Sequence, residues 1–123
     1  MELTNMQMDA MREVAAKHLD RRDMIGYACA RNVRALEDEL REYLDVKDAL
    51  VVEYGAAEED EEGNPTGSYR FVPGSEEHRA FLRELAPYMD VTGDPRIMKL
   101  KYEEAIGKLT GQELIELDWM FED

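Results

Sequence analysis

The sequence has few of the residues that most often carry redox or metal chemistry. It contains one cysteine, Cys29, and two histidines, His18 and His78. A lone cysteine cannot form an intrachain disulfide, and we interpret Cys29 as a small core residue inside a helix. The two histidines lie far apart in sequence and match no metal-ligand spacing. We therefore expect no metal site and no cofactor site.

The sequence also has no recognisable catalytic motif. Residues 63–67 are rich in turn residues but lack the lysine and following helix of a phosphate-binding loop. The two serines, Ser68 and Ser75, do not stand in a nucleophile elbow. The acidic run 58–62 does not continue as a calcium loop, because Pro65 occupies the position that requires glycine. We therefore interpret the protein as non-enzymatic.

Long apolar runs and basic residues are scarce as well. No run approaches the roughly 18 residues of a membrane span, and no secretion signal opens the chain. Lys and Arg number 15 against 29 Asp and Glu, giving a net charge of −14. Such a charge opposes binding to bare nucleic acid or to an anionic membrane, but it permits docking on a basic protein. The acidic surface is either only solvated or includes a face that meets a basic protein, and we expect a cytoplasmic protein that acts through a protein partner.

Hydrophobic residues make up 44% of the chain, which is ordinary for a globular protein. The length of 123 residues predicts a single domain over residues 1–123. Residues 20–54 contain no proline and one glycine, and their apolar residues recur at helical spacing, which predicts one long helix of roughly 50 Å. Shorter amphipathic helices over residues 4–19, 75–89 and 110–121 are predicted to cover it.

Two short segments have the character of strands. Residues 97–102 alternate between apolar and basic side chains, and residues 69–72 are rich in strand-forming types. We predict that these two segments pair as a small ribbon, and that the acidic run 58–62 is a mobile surface loop. The predicted fold is mainly α, a helical hairpin or bundle around one long helix, with a small two-stranded β ribbon.

The terminal helix holds most of the candidate interaction residues. Trp119 and Phe121 place large apolar area near its end, where they either close the core or remain exposed for a partner. The helix has no basic residue from position 110 onward, and its acidic side chains Glu113, Glu116 and Asp118 are candidates to imitate a row of phosphates.

A second candidate surface lies on the long helix. Lys47 interrupts its apolar stripe, which indicates that cover by the other helices thins towards the C-terminal third. If the protein self-associates as a homo-oligomer, we expect the interface around Tyr43, Leu50 and Tyr54.

Several short segments, taken together, resemble a group of short uncharacterised phage and prophage proteins. They are Leu3-Thr4-Asn5, Arg31-Asn32 with Leu36, Tyr54-Gly55, Tyr69, Leu109-Thr110-Gly111 and Met120-Phe121-Glu122-Asp123. The resemblance implies a phage or prophage origin and a small protein of the bacterial cytoplasm. It supplies no catalytic or binding residues, and the run 58–62 is longer and more acidic than the group leads us to expect.

Two functions from different classes fit these observations. The first is a phage assembly, scaffold or accessory protein that acts through protein–protein interaction. The alternative is an acidic inhibitor of a host nucleic-acid-binding defence system, such as an anti-CRISPR or anti-restriction protein that imitates DNA.

Overall fold

The computed structural model describes residues 2–123 and is mainly helical, with 57% of residues in helices and small two-stranded β ribbons. The predicted fold class is thereby confirmed. The described residues divide into two compact units, which we call the two-segment unit (residues 2–40 and 92–123) and the continuous unit (residues 41–91). The single-domain organisation stays a prediction.

In chain order the helices and strands are β1 (Leu3–Thr4), α1 (Asn5–Ala16), α2 (Met24–Glu39), α3 (Arg41–Tyr54), β2 (Ala56–Glu59), β3 (Pro65–Arg70), α4 (Glu76–Met89), β4 (Thr92–Gly93), β5 (Leu100–Lys101), α5 (Gly111–Leu117) and β6 (Phe121–Glu122). Two 3₁₀ turns, Tyr102–Glu104 and Asp118–Met120, flank α5 in sequence. The predicted starts of three helices are confirmed, because Thr4, Ser75 and Thr110 each cap a helix with the side-chain oxygen.

The single helix predicted over residues 20–54 is wrong. The first part of this segment, α2, begins only after Asp23, which is its N-cap, since the Asp23 carboxylate accepts a hydrogen bond from the Gly26 amide at 3.0 Å. The helix ends at Glu39, and α3 begins at Arg41 after Leu40, which has φ −91° and ψ 2°. No proline or glycine marks this break. Leu40 is fully buried, so tertiary packing and not local propensity ends α2 there.

The predicted pairing of residues 69–72 with 97–102 is also wrong. β3 pairs in antiparallel fashion with β2, the strand that comes just before it in the chain. The acidic run 58–62 therefore lies within a hairpin. A short loop costs less entropy to close than the long one that the predicted pairing requires. β5 instead pairs in parallel with β6, and β1 pairs in antiparallel fashion with β4.

The two-segment unit has one continuous hydrophobic core. Its buried members are Ala15, Ile25, Ala28, Cys29, Val33, Leu100, Ala105, Leu117, Met120 and Phe121. The Cys29 thiol lies 3.8 Å from the Met120 sulfur, and burial raises its pKa to about 11. This inert, buried thiol matches the core role predicted for Cys29.

A buried amide fixes the segment before β5 to α2. The Asn32 side chain is fully buried; its Nδ2 donates to the Met98 carbonyl at 3.1 Å, and its Oδ1 accepts from the Met98 amide at 2.7 Å. One side chain therefore satisfies both backbone groups of a residue that has no strand partner at this point.

The continuous unit has a smaller core. Helices α3 and α4 pack together, with Tyr43, Phe81 and Leu85 as its buried apolar side chains. The Phe71 ring extends this cluster, since its centroid lies 4.7 Å from that of Phe81 and 5.5 Å from that of His78. Across residues 2–123, no helix is both long enough and apolar enough to cross a bilayer.

Candidate interaction surfaces

Glu113 on the terminal helix acts as a helix cap. Its Oε1 accepts a hydrogen bond from the Thr110 amide at 2.9 Å, completing a capping box, and its Oε2 lies 3.8 Å from His18 Nδ1. The bond from the Thr110 backbone holds the pKa of Glu113 below its usual value. The carboxylate is therefore engaged within the fold.

Glu113 and Glu116 lie one turn apart within α5, but Asp118 does not continue their helical row. Helix α5 ends at Leu117, so Asp118 belongs to the 3₁₀ turn that follows. Asp118 accepts a hydrogen bond from the Tyr102 hydroxyl at 2.7 Å, which raises the pKa of that phenol. Glu116 is half-buried and accepts a longer bond, 3.4 Å, from the Gln112 side chain.

Trp119 and Phe121 have different surroundings. Phe121 is buried in the core of the two-segment unit, and its ring stacks on Tyr102 with centroids 5.8 Å apart. The sequence left open whether these residues close the core or remain exposed, and Phe121 closes the core. Trp119 is half-buried against the same core and donates its indole N–H to the Glu116 carbonyl at 3.0 Å. Part of its ring remains at the surface.

The three candidates on α3 also differ in accessibility. Tyr43 is 5% exposed, whereas Leu50 and Tyr54 are half-buried. The Tyr54 hydroxyl donates to the Glu84 carboxylate on α4, which raises the pKa of Tyr54. Tyr43 thus has little surface left for a partner, and the oligomer interface around these residues stays a prediction.

The acidic hairpin (residues 56–70) is a more prominent surface than the terminal helix. Every one of its residues is exposed, and it contains five consecutive acids, 58–62, with Arg70 near its end. Its turn is ordered by Asp60, whose carboxylate accepts from the amides of Glu62 and Asn64, each at 2.9 Å. Gly63 supplies the positive φ of 83° that this turn requires. The run is therefore held in a defined conformation.

A second surface, the arginine groove, lies between α2 and the segment before β5. It encloses about 450 Å³ and is lined by Arg31, Ala35, Asp38, Arg96, Ile97 and Met98. The Arg31 guanidinium donates to the Tyr27 hydroxyl at 3.3 Å and lies 6.0 Å from the centre of that ring. The bonds from Asn32 hold the backbone of Met98, one of the lining residues.

Sequence reasoning missed the arginine groove. Arg31 and Arg96 are far apart in the chain, and the Asn32 clamp brings their segments together. The only local signal was an asparagine on the apolar side of an amphipathic helix, one residue after Arg31. Asparagine is uncommon in a helix interior unless its amide bonds to another segment.

No protein-family model, curated protein or solved structure matches this chain. The fold and the two surfaces define it as a mainly helical protein with an ordered acidic hairpin and a separate groove that contains two arginines. Among residues 2–123, no three acidic, histidine or cysteine side chains form a metal-binding group.

Proposed function

We propose that the protein is a non-enzymatic phage or prophage accessory protein that binds another protein through its acidic hairpin. The observation that carries this proposal is that residues 56–70 are ordered by strand pairing and turn bonds although all of them are exposed. A segment that buries so little of its side chains adds little hydrophobic stability to the fold. An ordered and charged hairpin is, however, well suited to contact another molecule.

The charge of the hairpin indicates the chemistry of its partner. Five adjacent carboxylates favour a surface rich in Lys and Arg, because opposite charges speed encounter and reject acidic competitors. Asp60 already bonds to two amides of the turn, so Glu58, Glu59, Glu61 and Glu62 are the side chains available to pair with a basic partner.

An inhibitor of a nucleic-acid-binding defence protein remains the alternative. On this hypothesis the hairpin, and not the terminal helix, imitates a phosphate row, since Glu113 and Asp118 are engaged within the fold. The hairpin would then occupy the basic cleft of an anti-phage nuclease and compete with DNA or RNA for it.

The test compares two variants that carry the same net charge. The hairpin variant replaces Glu58, Glu59, Glu61 and Glu62 with Gln and keeps Asp60. The control variant replaces four exposed acids of the two-segment unit with Gln: Glu2, Glu13, Glu103 and Glu122. Each protein is immobilised and exposed to a bacterial lysate at about 0.15 M salt, where screening beyond roughly 8 Å leaves close ion pairs effective.

We expect the wild type and the control variant to retain the same basic protein, and the hairpin variant to lose it. If all three proteins retain the same set of partners, the hairpin is not the binding surface and the proposal is wrong. A captured protein that cleaves nucleic acid, and is inhibited by the wild type but not by the hairpin variant, supports the inhibitor alternative. A captured protein without such activity supports the accessory role.

A further inference from the structure

We propose that the arginine groove binds the acidic hairpin of a second copy of this chain, so that copies associate head to tail. This inference rests on the hairpin being a contact surface, as in the function proposed above. It adds a second binding site and names its occupant.

The groove has the geometry to recognise carboxylates. Its two arginines come from different segments, Arg31 from α2 and Arg96 from the segment before β5. Tyr27 restrains the Arg31 guanidinium by a hydrogen bond and by ring contact, which lowers the entropy cost of binding an anion. A guanidinium presents a fixed fork of N–H donors that matches a carboxylate.

Half of the lining residues are apolar, and one of them is held in place. They are Ala35, Ile97 and Met98, and the buried Asn32 bonds to both backbone groups of Met98. Charge pairs are worth more beside such a surface than in open water, because the local dielectric constant is lower. The groove is therefore suited to a narrow acidic segment.

Charge complementarity favours the hairpin as the occupant. The chain has a net charge of −14, yet this groove is lined by two arginines and a single acid, Asp38, whereas the hairpin presents five adjacent acids on an exposed turn. Glu58, Glu59, Glu61 and Glu62 remain available because Asp60 is committed to the turn. The groove of one copy and the hairpin of another thus provide opposite charges.

Such a contact is heterologous: each bound copy still has one open groove or one open hairpin. Assemblies should therefore grow with concentration and not stop at a dimer. A hairpin tip buries less area than a standard protein interface, so we expect weak association, with a dissociation constant on the order of 100 µM.

Salt should affect this association in two directions. At about 0.01 M salt the Debye length is roughly 30 Å, so the net negative charges of two copies repel each other. Near 0.15 M that repulsion is screened while close pairs persist, and near 1 M the pairs themselves weaken. We expect the strongest association at intermediate salt. An apolar interface would instead strengthen steadily as salt rises.

The test mixes two variants of the full chain. The hairpin variant defined above keeps its groove, and a groove variant, Arg31→Gln with Arg96→Gln, keeps its hairpin. Average mass is measured by light scattering from about 10 µM to about 500 µM, a range that brackets the expected affinity. We expect the wild type to exceed the mass of two chains, each variant alone to remain a single chain, and the mixture to stop at two chains.

A matched control replaces two exposed arginines outside the groove, Arg22→Gln with Arg79→Gln. It should associate like the wild type, whereas the groove variant should lose about a hundredfold or more in association constant, since each of its two arginines is expected to contribute about tenfold or more through charged hydrogen bonds. Circular dichroism confirms that each variant is folded.

The inference is overturned if the wild type remains a single chain over the whole range, or if the two variants do not associate when mixed. It is also overturned if the control loses as much association as the groove variant. The groove variant keeps an intact hairpin, so its capture of a basic protein from lysate tests the proposed function independently of self-association.

Discussion

The two units of this chain differ in how they are held together. Among residues 2–123, the buried hydrophobic side chains are concentrated in the two-segment unit, and the continuous unit contributes Tyr43, Phe81 and Leu85. The continuous unit instead carries the larger net negative charge, −8 from 13 acidic and 5 basic residues in positions 41–91, against −6 from 16 acidic and 10 basic residues in the rest of the chain. Hydrophobic burial therefore dominates the two-segment unit, whereas the continuous unit combines a smaller core with local hydrogen bonds such as those that Asp60 accepts.

The largest expected effect is the loss of a core leucine. Leu117→Ala in the two-segment unit should cost about 4 kcal/mol in free energy of unfolding, because a fully buried side chain leaves a cavity in a dense core. Leu85→Ala in the continuous unit should cost about 2 kcal/mol, since a smaller core relaxes more easily. Urea denaturation measures both values. Equal costs would remove the distinction between the units.

The buried amide should come next. Asn32→Ala leaves the amide and carbonyl of Met98 without their partner, and we expect a loss of about 3 kcal/mol. Arg34→Ala, an exposed position on the same helix, is the control and should change stability by less than about 0.5 kcal/mol. Hydrogen exchange at Met98 should accelerate in the first variant alone. An unchanged exchange rate would show that the clamp does not hold this segment.

A smaller and pH-dependent effect is expected at Asp23. Arg21 and the Gly26 amide bond to this carboxylate and lower its pKa to about 2 from an ordinary value of 3.8. A depressed pKa stabilises the fold above pH 3.8, and that contribution is lost as the pH falls towards 2. Asp23→Asn preserves the cap but not the charge, so it should cost about 1 kcal/mol at pH 7, after discounting for solvent, and only a small part of that at pH 2, where about half of the carboxylate is protonated.

Denaturation of wild type and Asp23→Asn across pH 2 to 7 checks this prediction. A stability difference that stays constant over the whole range would mean that the ion pair with Arg21 does not contribute.

The smallest effect is expected at the acidic hairpin. Because its residues are exposed, the hairpin variant with four Glu→Gln changes should differ from wild type by less than about 0.5 kcal/mol. Amide exchange should be fast in residues 56–70 and slow in α2 of both proteins. A loss of several kcal/mol would show that the hairpin supports the fold and is not a free surface.

The sequence predicts elements that are specified locally. Thr4 with Gln7 and Thr110 with Glu113 form the capping boxes that their spacing indicates, and Ser75 caps α4. The helical class follows from the spacing of apolar residues, which needs no knowledge of the partner surface.

Features that depend on distant residues were not predictable in this way. Nothing local to Leu40 ends a helix, and the parallel pairing of β5 with β6 joins segments separated by α5. The arginine groove depends on the bond between Asn32 and Met98 across most of the chain. In each case tertiary packing selects among conformations that the local sequence allows equally.

Cys29 gives this protein a built-in reporter of core opening. As the sole thiol of the chain, with its pKa raised to about 11 by burial, it is unreactive towards alkylating reagents while the core is closed. The rate at which a thiol reagent labels the native protein therefore measures how often the two-segment unit opens. For the same reason, a thiol reagent added to a native variant with a cysteine introduced on the hairpin would react at the introduced cysteine and not at Cys29.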